Sequence, residues 1–420
     1  MNNIQKAILS GMICNMIVWY ELTLFGVLTD TIINVFFPSE DHYFSTLKFL
    51  GVFAIGFAFR PIGAVIFGYM GDKYGRRKTL LTSVILISIS STIMGIIPGY
   101  KEIGLLSPVL LVFCRIVQGI TAGGETSINT AFTIEHSKDK KNLGFLGSMK
   151  PFSGALGTLL CITMIFICKR VTGENYEIWG WKLLFYFCFF LGTIGFLTRY
   201  ILKESLAYKT NKYANNLAHS PLLELVRNYK RPLIISINLG IAQNAIVYAA
   251  IIFYNISIKE LVILSISVKD LMRIVIQVVF AASAVLFAIL SDKVGRKRVM
   301  IPVLIMLSLI GTCVLPLLSS VNHYVVIITY LLITIPVGAS FGIYGSVICE
   351  LFPTKVRCTG VSLANNISAG IFGGLSPYIC MWLIEKTETK LAAGIYLTAC
   401  ALISLISVLQ IKAKDRKVDW

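Results

Sequence analysis

The sequence predicts an all-α polytopic membrane protein: twelve transmembrane helices in two six-helix halves. Three observations carry this. Of its 420 residues 56% are hydrophobic and only 14% charged, with a mean hydropathy of +0.78, an apolar excess that no soluble domain of this size could bury. Stretches of about 20 apolar residues, the length that crosses a bilayer, recur from residue 8 nearly to the C-terminus. A charged run, GDKYGRRK at 71–78, returns as SDKVGRKR at 291–298.

The apolar stretches fall at 8–34, 49–70, 79–97, 105–135, 144–168 and 182–201, then at 232–254, 270–290, 299–318, 323–349, 359–384 and 391–411. Each reads as a helix, because a membrane barrel would alternate polarity along strands of about ten residues. The first begins too early and runs too long for a cleavable secretory signal and is read as a retained anchor. Asp72 answers Asp292, Gly75 answers Gly295 and Arg76 answers Arg296, each copy lying between the second and third spans of a six-span set. That interval is too long for a solenoid and marks two homologous halves. The polar stretch 202–231 separates an N-terminal bundle, 1–201, from a C-terminal one, 232–420. Within it, 221–231 reads equally as a short amphipathic helix or as solvated linker.

The formal net charge of +17 follows from topology. On the side shared with the N-terminus lie about 25 of the 38 Lys and Arg, against about nine opposite, the bias of cytoplasmic loops. Both termini are therefore expected in the cytoplasm, and nucleic-acid binding is not. The ten cysteines stand singly, without a C-x-x-C pair, as packing residues rather than metal ligands or disulfide partners. No cofactor is expected.

Two parallel six-helix halves with a site between them resemble the major facilitator superfamily. Residues 68–77, GYMGDKYGRR, are similar to that superfamily's signature loop G-x-x-x-D-R/K-x-G-R-R/K, repeated less completely at 288–297. The runs CRIVQGITAGGET (114–126), IEHSKDKKNLGFLGS (134–148), ELFPTKVRCTG (350–360) and RPIG (60–63) resemble its metabolite:proton symporter branch, typified by proline/betaine transporters. The first helix, CNMIVWYELTLFG (14–26), departs from the branch pattern: Cys14 stands where Gly is usual, Val18 where a carboxylate belongs, and Glu21 replaces Asp. The resemblance implies a gate built from Gly68, Asp72, Gly75, Arg76, Arg77, Asp292, Gly295, Arg296, Glu350 and Arg357. Asp72 is suited to the positive N-terminus of a helix from the opposite half. The resemblance also implies proton-coupled uptake of a small carboxylate-bearing zwitterion across a bacterial inner membrane, by a chain that works as a monomer. Other members of the branch carry mono- or dicarboxylates, and that alternative stays open. The chain's end at Trp420 lacks the coiled-coil extension of osmosensing relatives, so regulation by that device is not expected.

Ionisable side chains deep in a span cost at least about 2.5 kcal/mol each, and Glu21, Arg60, Arg115, Glu125 and Lys150 are such cases. Asp30, Asp270, Arg273 and Glu135 lie nearer span ends, where snorkelling suffices. Arg60 precedes Gly71 by about 11 residues, or roughly 16 Å of helix, which places it near the midplane. Arg115, Gln118, Ala122, Glu125 and Asn129 recur at steps of three and four residues, a polar stripe within an arc of roughly 80°. These charges either neutralise one another structurally or line a wet cavity that binds carboxylate and exchanges a proton. Buried ion pairs seldom stabilise enough to justify their burial, which favours the second reading.

All four histidines lie in loops or at span ends, so a proton carrier must be a carboxylate. Burial disfavours its charged form while a neighbouring arginine favours it, until movement separates them. Glu21 and Glu125 are the candidates. Arg60, Arg115, Gln118 and Lys150 are expected to bind substrate, with Asn244, Tyr248 and Asn365 from a C-terminal wall that also offers Gln243, Tyr254, Phe341, Tyr344 and Asn366. Such a wall suits a quaternary ammonium, although any single Tyr or Phe in it is more often ordinary helix packing. Gly119, Gly123, Gly147, Gly154 and Gly157 permit close helix contacts. No phosphate-binding loop, H-E-x-x-H or nucleophile–base set occurs, against an ATP-driven pump and a membrane enzyme. A transporter-like receptor would be expected to have lost the gate motif or the midplane charges, and the first half keeps both.

Overall fold

The computed structural model describes residues 3–38, 42–137, 140–214, 216–260, 266–318, 320 and 322–412. Lys138, Asp139 and the terminal residues to Trp420 lie outside the described residues, as do the side chains of His42, Tyr254 and Asp270. Among the described residues there is no strand. Twelve helices are long and apolar enough to span a membrane: α1 (Gln5–Val27), α2 (Gly51–Tyr74), α3 (Arg76–Ile96), α4 (Leu106–Glu135), α5 (Leu143–Tyr176), α6 (Gly180–Tyr200), α7 (Lys230–Ala250), α8 (Leu271–Val294), α9 (Arg296–Leu318), α10 (Tyr324–Leu351), α11 (Thr354–Thr387) and α12 (Lys390–Gln410).

The first apolar stretch is shorter as a span than expected. Its helix ends at Val27, and Thr29–Phe36 forms a separate short helix, turned at the point where Thr29 Oγ1 donates to the Gly26 carbonyl at 2.7 Å. The helix of α2 runs through Asp72 to Tyr74 and stops at Gly75, with φ +108°; α8 stops likewise at Gly295, with φ +109°. A side chain at either position would meet its own backbone, so the repeated glycine of the charged runs is a backbone requirement. Inside α11 the residues Ser368–Gly373 form a π-helical turn, an irregularity tolerated in membranes where neighbouring helices cover it.

Within the N-terminal half α1 packs on α5, α2 on α4 and α3 on α6; within the C-terminal half α12 packs on α9 and α7, and α8 on α10. The halves meet where α5 contacts α8 and α10, and where α11 contacts α2 and α4. The α2–α4 seam depends on glycine: a Cβ on Gly63 would overlap the Ile120 carbonyl, and one on Gly119 the Gly56 carbonyl. Close approach of small residues is how helices associate without a hydrophobic drive in lipid. Large apolar side chains such as Phe113, Val171 and Leu309 stay exposed on the outside of the bundle, where lipid would cover them.

Two helices occupy the stretch between α6 and α7. Pro221–Asn228 corresponds to the amphipathic segment anticipated there, with Pro221 in its first turn and Leu225 buried. Leu206–Tyr213 was not anticipated; it starts where the Ser205 side chain accepts from the Tyr208 amide, a polar N-cap.

Candidate functional site

A polar cavity lies inside the N-terminal half. It is narrow in this state, with about 20 Å³ free, room for about one water molecule, and is lined by residues of α1, α2, α3 and α4, among them Val18, Glu21, Arg60, Arg115, Gln118 and Ala122. Four of the residues singled out from the sequence therefore meet in one place. Arg115 is held by Gln118, whose Oε1 accepts from Nη1 at 2.8 Å. Gln118 in turn donates to Ser91 Oγ at 3.1 Å. The Arg115 guanidinium lies 4.1 Å from the Phe25 ring centroid and rests on Gly56, where a Cβ would crowd it. Arg60 stacks 4.2 Å from the Phe57 centroid.

Glu21 is buried beside Ser91, whose hydroxyl donates instead to the Ile87 carbonyl at 2.6 Å, and neither of its carboxylate oxygens has a hydrogen-bond partner. Arg115 and Arg60 are the charges that act on it, but no ion pair forms with either among the described residues. A carboxyl group with two cations near and none in contact can change charge when the helices move.

The polar stripe on α4 does not face a single cavity, which corrects the expectation. Arg115, Gln118 and Ala122 line the cavity just described, whereas Asn129 lines a second one. Glu125 turns toward α3 and α6, where it forms a buried ion pair with Arg199 and accepts from Ser83 Oγ. Arg199 also donates to the Leu80 carbonyl at 2.7 Å. An arc shared along one helix meets different neighbours over four turns, because different helices cover α4 at different depths: α1, α2 and α3 at the cavity and α3 and α6 at Glu125. Arg199→Ala should leave Glu125 as an uncompensated buried charge and cost about 3–5 kcal/mol. Thermal melting of the detergent-solubilised chain should show a large loss, partly recovered when Glu125→Gln is added; equal losses in the single and double variants would deny the pair this role.

Lys150 is also placed apart from the first cavity. It lines the second one, and its ammonium donates to Asn365 Oδ1 of the opposite half at 3.4 Å. The expected C-terminal wall does not line the first cavity. Tyr248 reaches only the back of Phe57, edge-on at 5.6 Å, while Asn244 is tied to the Gly240 carbonyl and Ser368 Oγ. Tyr344 donates to the Ser236 carbonyl, and Gln243 accepts from Ser340. Asn366 crosses between the halves, donating to the Gly123 carbonyl.

The charged runs form two clusters at the junction of the halves. The Asp72 carboxylate accepts from the backbone amides of Cys358 at 3.0 Å and Thr359 at 2.8 Å, and from Thr359 Oγ1. These amides belong to the first α-helical turn of α11, which begins at Arg357 after a 3-10 turn at Thr354–Val356, so an anion of one half rests on a helix N-terminus of the other. Gly68 permits the approach: its Cβ would strike Thr359. Asp292 repeats the arrangement, accepting at 2.8 Å from the amides of both Gly144 and Phe145 at the start of α5. Arg296 joins Asp292 to Glu350. Arg77 donates its backbone amide to Glu204 and its guanidinium to the Tyr200 carbonyl.

Glu135 is a hub that sequence reasoning missed. Expected to snorkel, it is instead buried, bridging Arg76 at 3.1 Å and Arg357 at 2.8 Å across the two halves. It also accepts from Ser205 Oγ of the connecting stretch at 2.7 Å. The only signal was its place: Glu135 closes the fourth span of the first half as Glu350 nearly closes the fourth span of the second. Arg199 was missed because it sits in the last turn of α6 and resembles a surface cation.

A twelve-helix bundle with a charged cavity in its apolar interior and ionic clusters joining its halves is a membrane transporter. The family model described as Major Facilitator Superfamily matches residues 22–377, and the chain belongs to that family. Among its relatives, the glycine betaine/proline/ectoine/pipecolic acid transporter OusA of Dickeya dadantii is 29% identical, aligned over 99% of this chain and 84% of its own. The proline/betaine transporter of Escherichia coli is 28% identical over 97% and 83%, and the inner membrane metabolite transport protein YhjE of the same species 30% over 97% and 94%. In fold the chain is similar to the proton:xylose symporter XylE bound to 6-bromo-6-deoxy-D-glucose, with a TM-score of 0.79 at 17% identity over 97% and 94% of the two chains.

Proposed function

We propose that the chain is a proton-coupled secondary transporter that takes up a small carboxylate-bearing solute of the proline/betaine type by alternating access. The observation that carries this is the cavity in which Arg60, Arg115 and Gln118 stand beside an unpartnered Glu21. The arginines bind the solute's carboxylate. Glu21 carries the proton, because its charge is stabilised only while the arginines are near and unoccupied. Glu125, bound by Arg199 and Ser83, serves the bundle instead. Asn244 and Tyr248 complete the site when the halves close on the solute, while Asn365 contacts Lys150 beside the second cavity.

In this reading residues 1–201 and 232–420 are the two moving bundles and 202–231 the cytoplasmic connection. The termini and charged clusters face the cytoplasm, and the chain works as a monomer in a bacterial inner membrane. Gly68, Asp72, Gly75, Arg76, Arg77, Asp292, Gly295, Arg296, Glu350 and Arg357 form the cytoplasmic gate. The names of the relatives support the zwitterion. The surplus of cations, Arg60, Arg115 and Lys150 against Glu21, supports a second reading in which a dicarboxylate is carried.

The purified chain in liposomes, given an inward proton gradient, should accumulate labelled proline in competition with glycine betaine. Competition by citrate or 2-oxoglutarate without betaine would favour the second reading, and accumulation of none would overturn the proposal. Arg60→Ala should abolish solute binding, read by equilibrium binding of the labelled solute. Intact affinity would assign Arg60 to packing on Phe57.

A further inference from the structure

The polar lining of the N-terminal half continues beyond the first cavity. On α4 the first cavity uses Arg115 to Ala122; the second uses Asn129, Thr130 and Thr133, closer to Glu135. On α1 the order runs the other way: Val18 to Leu22 line the first cavity, and Ile8, Gly11 and Met12 the second. The second cavity, which in this state has about 10 Å³ free, room for at most about one water molecule, therefore lies between the first and the ionic clusters.

Its chemistry is specific. Lys150 projects a cation whose single hydrogen bond, to the neutral amide of Asn365, is long at 3.4 Å. No carboxylate pairs with it among the described residues. An ammonium has three donors, and a cation held from water without a counter-ion is costly. Asn129 supplies the complement. Its Nδ2 donates to the Gly11 carbonyl at 2.7 Å, which fixes the amide's orientation and leaves Oδ1 buried without a donor. Thr133 spends its hydroxyl hydrogen on the Asn129 carbonyl and so can also only accept. One cation and facing acceptors match a molecule with a carboxylate and an N–H group.

We propose that this cavity is a second solute station, on the route from the central cavity to the side of the ionic clusters, where Lys150 takes the carboxylate and Asn129 Oδ1 an N–H of a small zwitterion. It favours a zwitterion with N–H donors, such as proline, over a quaternary ammonium. This rests on the reading that the chain carries carboxylate-bearing zwitterions. The halves share the station through the Lys150–Asn365 contact, so it reaches solute size only as they part; in the state described here it is closed.

The test compares proline and glycine betaine transport by the full chain in membrane vesicles of the two orientations. For Lys150→Gln the KM for proline at the clustered-charge face, divided by that at the other face, should rise at least tenfold, and Lys150→Arg should restore most of it. Asn129→Leu should raise the same ratio for proline and not for betaine. Melting curves report whether each variant folds, and Lys150→Arg keeps the test decisive if the Gln variant does not. An unchanged ratio in Lys150→Gln, or equal effects of Asn129→Leu on both solutes, overturns the second station while leaving the first intact. If the wild-type chain moves neither solute, it is the transport reading that fails.

Discussion

Glu21→Gln should yield a chain that still exchanges labelled solute across a membrane but no longer accumulates it. In liposomes with an inward proton gradient the inside-to-outside ratio should fall to about one, while counterflow under equal pH stays within a few-fold of wild type. The reasoning is local. Glu21 is buried near Arg115 and Arg60, and neither of its oxygens accepts a hydrogen bond, so no direct contact fixes its charge. Gln keeps the shape and removes the titration. Each decade of accumulation requires about 1.4 kcal/mol from a coupled ion; without a proton carrier none is supplied. If Glu21→Gln still concentrates solute, another group carries the proton.

The second large effect is expected at Glu135. Its carboxylate is the negative centre between Arg76 and Arg357, all three fully buried, with the halves contributing one arginine each. Glu135→Ala would leave two desolvated guanidinium groups facing each other. Removing one member of a buried ionic set costs about 3–5 kcal/mol, enough to shift a two-state closure by about two to almost four decades. The cost falls on the state in which the halves touch here, so the variant should populate the state open at the ionic clusters. Cys358 reports this directly: it is buried at the junction against Gly71, with its amide on Asp72. Alkylation of Cys358, read by peptide mass spectrometry, should be at least tenfold faster in Glu135→Ala. A rate that stays as slow as that of Cys188, buried within the N-terminal half, would mean that Glu135 does not hold this junction closed.

What the sequence made legible follows from what each signal depends on. The spans could be read because a bilayer demands long apolar helices wherever they pack. The placement of Asp72 on an opposing helix N-terminus was implied by the resemblance of the charged run to the superfamily loop, with the macrodipole as its physical reason. Glu21, Arg60, Arg115 and Gln118 were found together because they sit at similar depths on adjacent helices. Glu125 was misplaced because periodicity gives a face of one helix without saying which neighbour covers it; here α3 and α6 do, through Ser83 and Arg199. Glu135 and Arg199 escaped notice because charge near a span end usually reaches water, and only the meeting of distant segments buries it. The separation of Lys150 from the first cavity depends on the packing of α5 between the halves, which no spacing reveals.

The central claim is that solute and proton move together through the site at Glu21. It is tested most directly by adding proline to weakly buffered liposomes containing the wild-type chain, with no gradient imposed, and following external pH. The account predicts an alkaline shift that tracks proline entry and disappears in Glu21→Gln. Proline entry without any pH change would contradict it.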